Sequence, residues 1–217
     1  MIRQIVRRGV HPCTAFVLTT LLTMSSGCAL ISYGLHVVTG GEREVEVEAE
    51  YHGLDNQSVA VIVHADDRTL YEHADAPLRI ARALSAQISD AIPTARLVDP
   101  NKVAKFQKEN TYWVPYNDLM ERFGANRLIV IDIDQYTTHD LQNTHYWHGV
   151  LSAGVRVTEH DAADSEQFAY VNSLSIRHPY QPTPLLDSDE PTIEHGMVSR
   201  FAARVAALFH DHTEIRK

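Results

Sequence analysis

Two short stretches of this chain leave little choice about how they fold. Val59-Ala60-Val61-Ile62-Val63 and Leu128-Ile129-Val130-Ile131 are continuous apolar runs of strand length. A strand that faces water on one side alternates apolar and polar residues, whereas one that is apolar throughout is covered on both faces. Both runs therefore predict buried strands of an α/β sheet. The second continues as Asp132-Ile133-Asp134 and begins to alternate, as a central strand does when it emerges from cover.

The remaining elements follow from period and punctuation. Glu42 to Tyr51 alternates, with Val45, Val47 and Ala49 on one face and Glu44, Glu46, Glu48 and Glu50 on the other, and predicts a charged edge strand. Residues 64–76 read as a polar loop. Pro77 opens a helix to about Ile92, with Ile80, Leu84, Ile88 and Ile92 in one stripe. Ala95–Asp99 predicts a short strand, and Asn101 a cap for a helix carrying Val103 and Phe106. A further helix runs from about Pro115 to Phe123 and ends at Gly124. Residues 150–158 and 167–177 alternate and predict an antiparallel pair joined by the polar turn 160–165. In the second of these, Phe168, Tyr170, Leu174 and Ile176 share a face. Residues 179–190 read as a loop. Pro191 opens the last helix, with Ile193, Met197, Phe201, Val205 and Leu208 as its apolar stripe. The predicted fold class is α/β (α+β): a mixed sheet of five to six strands with helices packed on it, closed by a C-terminal helix.

The N-terminus has a different character. Arg3, Arg7 and Arg8 precede an apolar stretch from Ala15 to Met24, with no acidic residue before Glu42. That stretch is too short to span a bilayer, which takes about 20 residues, and has the length of a signal-peptide core. Ser25-Ser26-Gly27 and then Cys28 follow. This order resembles the lipobox of bacterial lipoproteins, although Ser25 stands where that motif usually has Leu. The resemblance implies cleavage before Cys28 and lipid attachment to it as thioether-linked diacylglycerol plus an N-acyl chain. Burying a methylene contributes about 0.8 kcal/mol, so three chains anchor stably. Ala29 after the cysteine implies the outer membrane, facing the periplasm, by the sorting rule of proteobacterial lipoproteins. The expected organisation is a signal peptide over 1–27, a lipidated tether over 28–41 and one α/β domain over 42–217.

Composition narrows the function. The 27 residues ahead of Cys28 carry three arginines and no acid, so 16 basic and 28 acidic residues remain, a formal charge of −12. An acidic body without a basic patch argues against nucleic acid as a partner. Cys13 and Cys28 are the two cysteines, so the body past Cys28 has no disulfide, zinc–thiolate site or catalytic thiol. No Gly-x-Ser-x-Gly, His-Glu-x-x-His or glycine-rich phosphate loop occurs, and no cofactor is implied.

Over residues 58–210, the order of elements, Leu97-Val98-Asp99-Pro100, and the strand opening Gly124-Ala125-Asn126-Arg127-Leu128-Ile129-Val130 resemble a group of envelope proteins. The group comprises the curli-secretion lipoproteins, the lipoprotein activators of penicillin-binding proteins and the N-terminal domain of the Tol-system propeller protein. It implies a non-catalytic accessory protein whose partners are the membrane, through Cys28, and another envelope protein.

One constellation offers an alternative. Asp132 and Asp134 fall on one face at the C-terminal end of a strand, where α/β sheets often bind ligands. His139, Asp140, His145 and His148 follow. Asp132, Asp134, His139, His145 and His148 are thus candidate ligands of a divalent metal, for a metal-binding protein or a metal-dependent hydrolase. The same residues also read as a strand's exit into solvent followed by a polar loop. Tyr112, Trp113 and Tyr116, and Tyr146-Trp147, are aromatic clusters that suit either protein-binding anchors or packing over the sheet edge.

Overall fold

The computed structural model describes residues 43–160 and 167–216. The signal peptide, Cys28, the tether over 28–41 and most of the turn at 160–165 lie outside the described residues. Contacts divide the described chain into two compact units, 43–46 with 213–216, and 47–212. In the smaller unit, most of β1 (Arg43–Val47) pairs with most of β7 (His212–Arg216) as a two-stranded sheet. The segment expected as a charged edge strand therefore pairs with a C-terminal strand that the sequence did not announce.

The larger unit is an α+β fold. Its strands are β2 (Ser58–His64), β3 (Arg96–Leu97), β4 (Arg127–His139), β5 (Tyr146–Glu159) and β6 (Phe168–Pro184), in the order β3-β2-β4-β5-β6. β3, β2 and β4 run parallel, and β4, β5 and β6 antiparallel. The helices are α1 (Asp67–Glu72), α2 (Ala76–Ala91), α3 (Pro100–Glu109), α4 (Tyr116–Phe123) and α5 (Glu190–Ala207).

The apolar runs behave as their composition demands. Val59, Val61, Val63, Ile129 and Ile131 face one core, closed by Ile80, Leu84 and Ile88 of α2 and Met197, Phe201 and Val205 of α5. Ala60, Ile62, Leu128 and Val130 face a second, smaller core with Val103 of α3 and Leu119 and Met120 of α4. β5 and β6 alternate because only the first face is covered there: Leu151, Ala153, Val155 and Val157 are buried, while Ser173, Ser175 and Arg177 stand in solvent. Close packing of α5 is visible at Gly149, where a Cβ would lie 2.9 Å from the His178 carbonyl oxygen and 3.1 Å from Met197 Sδ.

Local hydrogen bonds account for where boundaries differ from expectation. The loop expected over 64–76 contains α1, because the Asp66 carboxylate accepts from Thr69 N at 2.8 Å and caps a helix. The strand at 95–99 shrinks to two residues, because Asp99, not Asn101, turns to cap α3. β6 runs on to Pro184 through what read as a loop. A register shift between Val157–Tyr170 and Thr158–Phe168 puts Ala169 in a bulge. Phe168 thereby leaves the face of Tyr170 and packs with Tyr116 and under Arg156. No helix among the described residues is long and apolar enough to cross a membrane.

Candidate functional site

A buried polar cluster sits where α5 begins. Asp189 caps that helix by accepting from Thr192 N at 2.9 Å, and Pro191 occupies its first turn. Glu190 thus falls in the first turn, where the helix dipole favours an anion, and Thr138 of β4 donates to its Oε1 at 2.8 Å. Glu194 lies one turn on, on the row of α5 that also buries Val198. Its side chain is only 8% exposed.

A carboxylate so buried is stable only if paired and fully hydrogen-bonded. Arg79 of α2 binds it through both terminal nitrogens, one to Oε1 at 2.7 Å and the other to Oε2. Tyr136 of β4 donates to Oε1 at 3.3 Å. His73, the residue that ends α1, brings Nδ1 to 2.9 Å of Oε1 and stacks against Tyr136. Burial, and then the Glu194 charge, push the Tyr136 phenol well above its ordinary value, so it stays a donor at any physiological pH. A cavity of about 530 Å³ opens above this network, bordered by α1, the end of β4 and the start of α5. Thr137 is among the residues that line it.

The five residues singled out from sequence do not share one centre. Asp132 joins His64, Oδ1 to Nδ1 at 3.2 Å, and Arg156, on the second face of the sheet. The His64 hydrogen bond, and against the opposing cost of burial the Arg156 guanidinium, hold its carboxyl below the usual range. Asp134 falls in a β-bulge between Ile133 and Gln135, is exposed, and has no side-chain bond among the described residues. The expected carboxylate pair is divided there. His139 ends β4, stacked on Trp147 at 4.3 Å between centroids and 3.0 Å from the Thr138 hydroxyl. His148 pairs with Asp140 at 3.3 Å. The Asp140 carboxyl is held down mainly by the turn amides of Gln142 and Asn143. His145 is exposed in that hairpin. β4 continues through Asp134 into this hairpin.

Among the described residues, a different trio gathers potential ligand atoms: His73, Glu190 and Glu194, one atom from each within 4.8 Å of the others. Sequence reasoning missed it because His73 and the two glutamates come from elements more than a hundred residues apart. The signal available was Glu194 itself, a carboxylate beside Ile193 and three residues before Met197, inside the apolar stripe of α5. The aromatic clusters divide. Tyr116 and Trp147 are buried, with Trp147 Nε1 donating to Ser188 O at 3.0 Å. Tyr112 and Trp113 are about 70% exposed.

No known family model matches this sequence, and no curated protein does. Several solved structures align with much of this chain at low identity. Lipoprotein GNA1162 from Neisseria meningitidis aligns at 16% identity over 69% of this chain and 97% of its own, with a TM-score of 0.44. PelC from Paraburkholderia phytofirmans, crystallised as a dodecamer, aligns at 5% identity over 76% and 97%, with a TM-score of 0.46. A minor lipoprotein from Acinetobacter baumannii aligns at 13% identity over 69% and 88%, with a TM-score of 0.32. Bacterial lipoproteins thus recur among the fold's neighbours. Identities and scores this low assign none of their activities to this chain.

Proposed function

We propose that this chain is an exported protein, cut before Cys28, anchored by lipid on that cysteine to the outer membrane facing the periplasm, and acting without catalysis through contacts with another envelope protein. The observation that carries the anchor is the order of positive residues, short apolar stretch, small residues and cysteine, ahead of a body that holds no other thiol. Likeness to the curli-secretion, penicillin-binding-protein-activator and Tol-propeller groups belongs to the same proposal.

Protein contact is supported by where the larger unit spends its exposed apolar surface. Leu70 and Tyr71 stand on α1, just past β2; Leu141 is in the β4–β5 hairpin; Tyr180 and Leu186 lie at and beyond the far end of β6. Tyr112 and Trp113 follow α3, whose Gln107 donates to the Val63 carbonyl at the same end of β2. Exposed aromatics of this kind are common anchors of protein interfaces. The Asp132–Asp134 metal or hydrolase reading gains no support from a converging ligand set.

Intact-mass measurement on the membrane fraction tests the anchor. The expected product starts at Cys28 with added acyl mass, and Cys28→Ser leaves the protein unacylated and unprocessed. A soluble product cut elsewhere overturns the anchor. For the contact, a photo-crosslinker at Trp113 is expected to capture one reproducible envelope protein, with far less at Ser175 on the open sheet face. Equal labelling at both positions, or none at either, overturns it.

A further inference from the structure

We propose that His73, Glu190 and Glu194 bind one divalent transition-metal ion of the zinc type at the floor of the cavity above α5. The first ground is geometric. One ligand atom from each residue lies within 4.8 Å of the other two. Two ligands on one tetrahedral zinc ion, at bonds of about 2.0–2.2 Å, are separated by roughly 3.3–3.6 Å, so the set closes if its widest pair draws together by about 1–1.5 Å. Glu190 and Glu194 are one turn apart on α5 and project from the same helix face, while His73 arrives from the end of α1.

The second ground is charge. Arg79 is spent on Glu194 and Asp75, and Arg68 on Glu72 within α1. Glu190 is left with one neutral donor, the Thr138 hydroxyl on Oε1. Its second oxygen has no partner among the described residues. Glu190 and Asp140 line the cavity, and Asp140's partners are turn amides and an imidazole. The cavity therefore holds uncompensated negative charge, which a cation would neutralise.

The third ground is the surroundings. Arg79 and Tyr136 fix the Glu194 carboxylate from behind, in the way that outer groups orient the ligands of metal sites. A mixed imidazole and carboxylate set selects zinc, cobalt or nickel over calcium or magnesium, which take oxygen donors.

The test is calorimetric titration of Zn²⁺ into chelator-washed, untagged full-length protein, with elemental analysis of the dialysed product. One equivalent is expected. His73→Gln and Glu190→Gln are each expected to weaken binding at least tenfold. Asp132→Asn and the double variant His210→Gln/His212→Gln should leave it unchanged. Glu190 is half-buried at a helix start, so its variant keeps the fold, which circular dichroism checks. Paramagnetic broadening by Co²⁺ on the unmodified protein supplies a readout independent of variants, expected at residues 72–74, 137–140 and 190–195. Substoichiometric metal, binding that survives Glu190→Gln, or broadening centred on His64 and Asp132 or on His210 and His212 would overturn the site.

Discussion

Glu194 and Asp132 are built from the same parts and stand in different media. Each is a carboxylate held by one imidazole and one guanidinium, His73 and Arg79 for the first, His64 and Arg156 for the second. Glu194 is 8% exposed beneath the end of the closed core. Asp132 is 33% exposed on the open face of the sheet, and its His64 partner is 45% exposed. Water screens the second cluster and makes its pairing nearly optional. It reaches the first far less, and there a bond not made costs the desolvation of a charge. Contact inventory alone would rank the two as equals, whereas burial separates them.

The largest effect expected from this contrast is at Glu194. Glu194→Gln leaves Arg79, one-third exposed, with only the exposed Asp75 as counter-charge and should cost roughly 2–4 kcal/mol in urea unfolding. A cost below 1 kcal/mol would erase the difference between the clusters. Next comes a matched pair of glycines on β5. Gly149→Ala drives a methyl into the His178 carbonyl, Ile193 and Met197 and should cost about 1–3 kcal/mol. Gly154→Ala meets nothing within 4 Å and should be neutral or stabilising by about 0.5 kcal/mol. Thermal unfolding of the two variants compares the closed face with the open one directly. Asp189→Ala removes the cap that positions Glu190 and should cost about 1 kcal/mol.

The smallest effect is at Asp132. Its folded carboxyl lies below the ordinary value of 3.8. The stability it contributes is therefore present above that value and is lost as pH falls through the lower folded one. Asp132→Asn should cost under about 1 kcal/mol at neutral pH and flatten the acid limb of the stability profile. A cost independent of pH would show that Asp132 acts through packing instead of charge.

The same contrast explains what could be read before the structure. Val59–Val63 and Leu128–Ile131 announced two covered faces because burial on both sides leaves no room for a polar residue. Asp132 was visible because it ends such a run. Its pairing with Asp134 was not sound, because a bulge needs only one unpaired residue and Asp134 carries no mark of it. The Ala169 bulge turned Phe168 away from its expected face for the same reason. Glu194 was hidden because the groups that make it tolerable, Arg79 and Tyr136, are distant in the chain and only tertiary packing unites them. β7 escaped notice because His212–Arg216 has too few residues for a period, and its partner β1 lies at the opposite end of the sequence.

The mixed strand order has a consequence in time. β4, β5 and β6 are joined by hairpins, so their pairing closes short loops and forms early. β2 pairs with β3 and β4 in parallel, and β4 begins only after β3 and all four of α1 to α4 have been made. The ribosome releases Val59–Val63 long before Leu128–Ile131 exists to cover it. During that interval the most apolar segment of the larger unit is an open strand, competent to pair with another nascent copy. A holding chaperone that masks this one stretch until β4 emerges would raise folding yield more than any stabilising change in the finished fold.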